Sequence, residues 1–248
     1  MLGAFTVALA CGEVPTLPDG VAYVSPVLLP SPAVAAGDTL RDSTGKVAPL
    51  RLIAYDRNDQ PVTGTTANFL PTRVPSPLTI DAKGIVVAQD TVPTTSPSVV
   101  GQIGDRLQTA PMALLIVPQP DSLQRVASTD TISSFGTSNA LAVTVTGLRR
   151  GARVPVQGII VRYQITRLLP VGAVDSTLNR LQDDTRNFLR SDPRLAVDTT
   201  DERGGASRIL LLLGVPAPSV TAIEVCARAT NLKGVPLTPA CFPVAIKR

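Results

Sequence analysis

Alternation of apolar and polar residues is clearest at residues 154–165. Every second residue there is large and apolar: Ile159, Val161, Tyr163 and Ile165. A period of two is typical of a β-strand with one buried face. The pattern therefore predicts a strand whose four apolar side chains lie in a core.

A second copy of this stretch lies upstream. Both copies contain Pro-Val-x-Gly, at 61–64 and 155–158, and an aromatic residue follows five positions after the glycine, as Phe69 and Tyr163. Two more matches follow in the same order: Asp81–Gly84 with Asp201–Gly204, and 97–99 with 218–220. Ordered matches indicate an internal repeat. We predict an all-β protein of two tandem immunoglobulin-like antiparallel β-sandwich domains.

The predicted domains cover residues 21–118 and 119–248, and the run Val-Pro-Gln-Pro at 117–120 marks the boundary. Strands of the first domain are predicted at 48–56, 65–70, 78–80, 85–88, 98–103 and 107–117. Turns are predicted at 56–60, 81–84 and 231–234, where Asp or Asn accompanies residues that tolerate a positive φ. In the second domain, 139–146 alternates like a strand.

The second domain carries an insertion at about 168–195, between its Pro-Val-x-Gly strand and its Asp-x-x-Gly turn. Leu178, Leu181 and Phe188 have roughly helical spacing, so we predict a short helix or a mobile loop. Loops often carry the specificity of a rigid scaffold. The candidate partner-contact residues are Arg180, Arg186, Phe188 and Arg190. A surface insertion without a partner is the alternative.

Composition supports strands and argues against catalysis. Hydrophobic residues make up 44% of the chain and aromatic residues 3%, so the core depends on Val, Leu, Ile and Ala. The 23 prolines and 18 glycines suit many short strands. The chain contains no histidine, which removes the usual general base and the imidazole metal ligand. We expect no enzyme activity, no cofactor and no metal site.

The net charge of +4 is mildly basic, and such a charge affects solubility more than it indicates nucleic acid. Arg149, Arg150 and Arg153 form a small basic patch. Nucleic-acid binding usually adds aromatic stacking platforms, which this chain scarcely has, so we expect no nucleic-acid partner. Tyr55 and Tyr163 alternate with apolar neighbours and are predicted to lie in the core.

Residues 2–10 form an apolar run that ends at Cys11. The segment 1–11 resembles the signal peptide and lipobox of bacterial lipoproteins, and 12–20 resembles a tether. The resemblance implies lipid attachment at Cys11 and a membrane partner through that anchor. It also implies location in the cell envelope, as an outer-membrane lipoprotein or an extracellular protein. The alternative is a buried first strand with Cys11 as an ordinary core thiol.

Cys226 and Cys241 flank a turn signal at 231–234, and the midpoint between them falls at this turn. Folding about the midpoint places the two cysteines opposite each other on adjacent antiparallel strands, where a disulfide can form. The alternative is two free buried thiols. A metal site is not expected, because the chain has no histidine and its third cysteine, Cys11, is assigned to the lipid anchor.

Two other motifs are interpreted as turns. Ser43–Lys46 fits the Ser-x-x-Lys pattern of penicillin-binding enzymes, but the accompanying motifs are missing. Three acidic groups offer oxygen ligands for Ca²⁺, at 56/59, 183/184 and 198/201/202, but none has the spacing of a dedicated calcium loop.

Residues 158–163 and 199–207 resemble the strand and turn motifs of bacterial immunoglobulin-like (Big) domains of the invasin and intimin type. Residues 48–56 and 80–86 are similar to other bacterial Ig-like domains. This resemblance implies an extracellular spacer, stalk or adhesion module without catalytic residues. The alternatives are a subunit of a surface appendage or layer, or an accessory module that binds a polysaccharide or a host protein.

Overall fold

The computed structural model describes residues 20–126, 130–133, 135–170, 179–183, 192 and 194–247. All regular elements in this part of the chain are β-strands, so the predicted all-β class is confirmed. No helix within these ranges has the length and apolar character required to cross a membrane.

The N-terminal unit, residues 20–118, contains short strands. They are β1 (Tyr23–Val24), β2 (Ala33–Ala35), β3 (Ala54–Tyr55), β4 (Pro61–Val62), β5 (Ala67–Pro71), β6 (Leu78–Ile80), β7 (Val86–Ala88), β8 (Ser98–Ile103), β9 (Leu107–Gln108), β10 (Met112–Ala113) and β11 (Leu115–Val117). The sheets are β1–β3–β4, β10–β8–β5 with β9 also on β8, β6–β7, and a parallel pair, β11–β2. One buried cluster joins residues of β2, β6, β7, β8 and β11.

The C-terminal unit, residues 119–247, is a sandwich of longer strands. They are β12 (Pro120–Arg125), β13 (Asp130–Ser133), β14 (Gly136–Thr137), β15 (Leu141–Arg149), β16 (Ala152–Pro155), β17 (Ile160–Leu169), β18 (Asn179–Gln182), β19 (Leu195–Thr199), β20 (Gly205–Leu212), β21 (Ala222–Ala229) and β22 (Ala240–Lys247). One sheet has the order β12–β15–β20–β14, with β16 on β15 and β18 on β20. The other has the order β13–β22–β21–β17–β19, and a large core cluster draws residues from both.

The alternation at 159–165 places its apolar residues in this core, as predicted. Val161 and Tyr163 are fully buried, and Ile159 and Ile165 nearly so. The hydroxyl of Tyr163 donates a 2.8 Å hydrogen bond to the carbonyl oxygen of Ala206 on β20. Since β17 and β20 belong to different sheets, this bond ties the two layers together.

The prediction that Tyr55 lies in the core is wrong. Its ring is half-buried and stacks on Tyr23, with centroids 5.0 Å apart and planes inclined by 14°. The hydroxyl of Tyr23 donates to Asp59 at 2.8 Å. The strand that carries Tyr55 is only two residues long and pairs with β1, so the side chain covers a neighbouring strand instead of entering the core.

In both units the Pro-Val-x-Gly motif lies where the chain leaves one sheet and enters the next. Pro61 and Val62 form β4, which pairs with β3, whereas β5 pairs with β8. Pro155 ends β16, which pairs with β15, whereas β17 pairs with β21. The glycines that end the motifs, Gly64 and Gly158, have φ of 80° and 79°, which favours glycine. The motif therefore separates two strands, whereas the sequence predicted that it opens a single strand.

Five turns, at 42–45, 56–59, 81–84, 201–204 and 231–234, share one construction. The side-chain oxygen of the first residue accepts hydrogen bonds from the backbone N–H groups two and four positions later. The fourth residue has a positive φ and is glycine in every turn except the second, where it is Asp59. Asp and Asn favour such turns through these bonds. The turns predicted at 56–60, 81–84 and 231–234 are confirmed, and Ser43–Lys46 is a turn.

The prediction of a short helix or mobile loop is wrong for residues 179–182. They form β18, which pairs antiparallel with β20, and Leu181 is buried in the core. In the N-terminal unit, β6 and β7 flank the turn at 81–84 and pair with each other. In the C-terminal unit, β19 and β20 flank the equivalent turn at 201–204, but β19 pairs with β17 and β20 pairs with β18. The insertion thus contributes a strand to the sandwich.

Candidate functional site

Arg180 is the one candidate contact residue that lies within the described ranges. It sits on β18 opposite Leu211 and is half-buried. Its strand neighbours Asn179 and Gln182 are buried. Arg186, Phe188 and Arg190 lie outside the described residues. A partner-binding role for these four residues stays a prediction.

Arg208, which sequence reasoning missed, links the two sheets of the C-terminal unit. Arg208 lies on the buried face of β20, together with Ala206, Leu210 and Leu212, and is only 8% exposed. Its guanidinium lies 2.7 Å from the carboxylate of Asp198 on β19 and also donates to the carbonyl oxygen of Val197. Asp198 in turn accepts the backbone N–H groups of Ser207 and Thr199, each at 2.8 Å. The ion pair therefore bridges β19 and β20 across the sandwich.

Contacts of Asp192, Asp198 and Arg208 occupy part of the outer edge of β19. Even-numbered positions such as Arg194 and Thr200 bond to the β17 side, so the backbone groups of the odd-numbered residues face away from the sheet. Three of these outward groups already have partners: Leu195 N–H on Asp192, Val197 C=O on Arg208, and Thr199 N–H on Asp198. A strand edge with occupied groups is a poor template for another strand.

The predicted disulfide is present. Cys226 and Cys241 lie directly opposite each other on β21 and β22, and their sulfurs are bonded. The turn at 231–234 connects the strands, as the midpoint argument predicted. A structural disulfide in a protein is typical of an oxidising compartment.

The two units meet through two of the five turns. A Cβ built on Gly45 would overlap the carbonyl oxygen of Lys233, and one built on Gly234 would lie 2.5 Å from the carbonyl oxygen of Thr44. Real Cβ atoms do not approach other atoms so closely. Glycine at both positions therefore lets the backbones touch.

Further contacts surround this pair of turns. A Cβ on Gly158, just before β17, would lie 2.8 Å from the side chain of Leu115 on β11. Asp38 accepts the backbone N–H of Thr39, pairs with Arg41 at 3.2 Å and faces Lys233 of the other unit at 3.8 Å. Burial raises the pKa of Asp38, but that hydrogen bond and the two cations outweigh burial and hold the pKa below its usual value. Asp38 is therefore ionised at neutral pH and attracts Lys233 across the junction.

A cleft of about 470 Å³ opens at the junction and has walls from both units. Asp90 and Val92 line it from the N-terminal unit, and Leu148, Arg149 and Arg150 from the C-terminal unit. Arg149 donates to the carbonyl oxygen of Val92 at 3.1 Å. Arg150 has no hydrogen-bond or ion-pair partner within the described ranges.

The predicted basic patch is thus divided between two roles. Arg153 pairs with Asp121 at 2.9 Å and also bonds to Thr146. Arg149 and Arg150 instead face the cleft. The sequence shows that the three arginines are close together in the chain. It does not show that two of them line a cleft, because the opposite wall comes from residues far away in the chain.

Two predicted features lie beyond what the structure describes. Cys11 and the lipobox-like segment fall outside the described residues.

Among the residues that are described, no group of three or more Cys, Asp or Glu side chains is placed to hold a metal ion. Of the acidic groups weighed for Ca²⁺, Asp56 and Asp201 accept turn hydrogen bonds, and Asp198 pairs with Arg208.

No protein-family profile matches the sequence, and no curated protein matches it. Among solved structures, the chain is similar to the S-layer protein rSbsC, with 9% identity, a TM-score of 0.31, and coverage of 91% of this chain and 27% of that one. It is similar to E. coli alpha-2-macroglobulin, with 11% identity, a TM-score of 0.33, and coverage of 94% and 14%. The I9–I11 tandem of titin matches with 11% identity, a TM-score of 0.24, and coverage of 87% and 63%. The chain spans about a quarter or less of the first two proteins, and TM-scores of this size carry no argument about function.

Proposed function

We propose that the protein is a non-catalytic module of the cell envelope that acts as a structural spacer or interaction module. Its two domains are residues 21–118 and 119–248, which correspond to the N-terminal and C-terminal units. The observation that carries the proposal is the junction, where the turns at 42–45 and 231–234 touch through glycines. A spacer needs a fixed relation between its domains, and backbone contact of this kind restricts hinge motion.

Location in the envelope rests on two features. The lipobox-like segment ending at Cys11 resembles that of bacterial lipoproteins, which implies a lipid anchor in the outer membrane. The disulfide between Cys226 and Cys241 supports an oxidising compartment outside the cytoplasm. Each feature is independent of the other.

A non-catalytic role is proposed because the chain contains no histidine. Several acidic side chains have a structural role, because Asp42, Asp56, Asp81 and Asp201 accept the hydrogen bonds that form turns. The ion pair of Arg208 and Asp198 is a further example, since it bridges β19 and β20.

The alternative is a subunit of a surface appendage or layer that polymerises through strand edges. The occupied edge of β19 disfavours addition at that position. An accessory module that binds a polysaccharide or a host protein through residues 168–195 is the third candidate.

Negative-stain images of the purified, exported protein separate the first two functions. A spacer gives monomers in which two domains keep one angle, whereas an appendage subunit gives ordered polymers at high concentration. Polymers that form reversibly at high concentration would contradict the spacer.

The location has its own test. Mass spectrometry of the mature N-terminus is expected to show a lipid on Cys11. An unmodified Met1 that retains the apolar run would contradict the envelope location but would leave the spacer geometry untouched.

A further inference from the structure

We propose that the cleft at the junction binds an acidic peptide segment of a partner protein. This role goes beyond that of a spacer, because it assigns a ligand to a surface built by both units. The charge, the backbone conformation and the apolar wall of the cleft all favour such a ligand.

The charge of the cleft comes mainly from two neighbouring arginines. Arg149 is held in place by its 3.1 Å bond to the carbonyl oxygen of Val92, which leaves its other N–H groups available. Arg150 is exposed and has no partner among the described residues. A guanidinium presents several N–H donors in a planar fork that matches a carboxylate. Two such forks at the mouth of one cleft favour an acidic ligand.

The backbone conformation of Arg150 also favours a binding role. Arg150 and Gly151 form the two-residue turn between β15 and β16, with φ of 51° and 79°. Asn, Asp or Gly is normally preferred at the first position of such a hairpin turn. A non-glycine residue with positive φ suggests a function when nothing local explains it. The fold gains nothing visible from an arginine at this position, whereas a binding site gains a charge.

The wall of the cleft favours a peptide over a sugar. Val92 and Leu148 line it, and Leu148 is 57% exposed although it is large and apolar. No aromatic ring lies among the cleft residues that the structure describes, so a sugar ring has no platform for stacking. Aliphatic side chains that alternate with carboxylates match both the apolar wall and the guanidinium groups.

A residue on the opposite wall of the cleft allows the sign of the ligand's charge to be tested. Asp90 lines the same cleft and is exposed. Its carboxylate repels an acidic ligand, so its removal must tighten binding if the ligand is an anion. The opposite responses to changes at Arg150 and Asp90 distinguish an acidic ligand from a ligand of another charge.

The experiment uses the full chain labelled with ¹⁵N and two pools of hexapeptides. The first pool combines Glu or Asp with Leu or Val, and the second has Lys in place of the acidic residue. We expect the acidic pool to shift the backbone signals of residues 90–92 and 148–150 saturably. Arg150→Asn should weaken binding about tenfold, which corresponds to about 1.4 kcal/mol, and Asp90→Asn should strengthen it. Arg57→Asn, at an exposed turn whose residues do not line the cleft, is the matched control and should bind like the wild type.

Arg150→Asn also separates binding from folding. Asparagine suits a positive φ, so this variant should unfold at no lower temperature than the wild type. The proposal is overturned if the acidic pool leaves these signals in place, if the basic pool binds equally well, or if Arg150→Asn and Arg57→Asn have the same affinity.

Discussion

Gly45 and Gly234 face each other across the junction so closely that neither position accommodates a side chain. A methyl group on either would overlap the backbone of the opposing turn. Both residues also have positive φ, 83° and 79°. Each glycine therefore serves its own turn and the contact between the two units.

Gly45→Ala is expected to loosen the junction. The substitution adds conformational strain of about 1–2 kcal/mol and forces the turn at 42–45 away from 231–234. Small-angle X-ray scattering should show a broader distribution of interatomic distances. Gly64→Ala is the matched control, because Gly64 has a similar φ, 80°, but no atom within 4 Å of its Cβ position. If both variants scatter like the wild type, the contact does not fix the domains.

Arg208→Ala is expected to destabilise the C-terminal unit and to free the edge of β19. Removing one partner of a largely buried ion pair costs about 3 kcal/mol, and the carbonyl of Val197 loses its donor. Urea unfolding measures the first effect, and size-exclusion chromatography at rising concentration measures association through the freed edge. Arg167→Ala is the control, since Arg167 is exposed and its pair with Glu224 should contribute less than about 1 kcal/mol. A variant that stays monomeric at all concentrations would show that this pair does not protect the edge.

Asp130 is expected to make the protein less stable as pH rises. Burial raises the pKa of Asp130, only partly offset by the charge of Arg125. The folded state then holds this proton more tightly than the unfolded state, whose pKa is near 3.8. Stability is therefore lost as pH rises from that value through the raised pKa of the folded state. Asp130→Asn should be more stable than the wild type at neutral pH, with a difference that shrinks in acid, as measured by urea unfolding.

Glu224 is expected to have the opposite dependence. The hydroxyl of Thr166 and the guanidinium of Arg167 lower the pKa of Glu224. Its contribution is present above the unfolded value of 4.5 and is lost as pH falls through the lowered value. Glu224→Gln should be less stable than the wild type at neutral pH and should converge with it in acid. Parallel curves for wild type and variant across this range would contradict the assignment.

Loss of the disulfide is expected to cost about 3 kcal/mol on the chain-entropy model for a loop of this length. The comparison is between the wild type and a Cys226→Ala, Cys241→Ala double variant in urea unfolding. The turn at 231–234 stays intact in the variant, so its hydrogen bonds serve as an internal control by NMR. An unchanged unfolding midpoint would contradict this stabilisation of the folded state relative to the unfolded chain.

The parts of this fold that the sequence predicts correctly are those that depend on local patterns of residues. The alternation at Ile159–Ile165, the Asp-x-x-Gly turns and the pairing of Cys226 with Cys241 depend on residues close in the chain or related by one hairpin. Their physical causes are the period of a strand and the φ preference of glycine. Such features can be predicted without knowing which distant residues pack against them.

The features that sequence reasoning missed all depend on how the strands and the two units are arranged in space. Leu181 has a spacing that suits a helix, but pairing of β18 with β20 places it in the sandwich core. Arg208 occupies an inward position on β20 that a strand pattern assigns to an apolar residue, and only Asp198 on β19 explains it. The cleft likewise needs both units, so no single stretch of sequence encodes it.

The five turns built on one pattern have a practical consequence for protein engineering. Each corner is defined by its first residue, whose side chain accepts the hydrogen bonds, and by its fourth residue, whose φ is positive. At 82–83 and 202–203 the turn uses the backbone N–H of the third residue but not the side chains of the two middle residues, and Lys233 uses the same position of its own turn to reach Asp38. Foreign dipeptides grafted at 82–83 or 202–203 should therefore be displayed without disturbing the strands. These turns can accordingly carry new side chains on the protein surface.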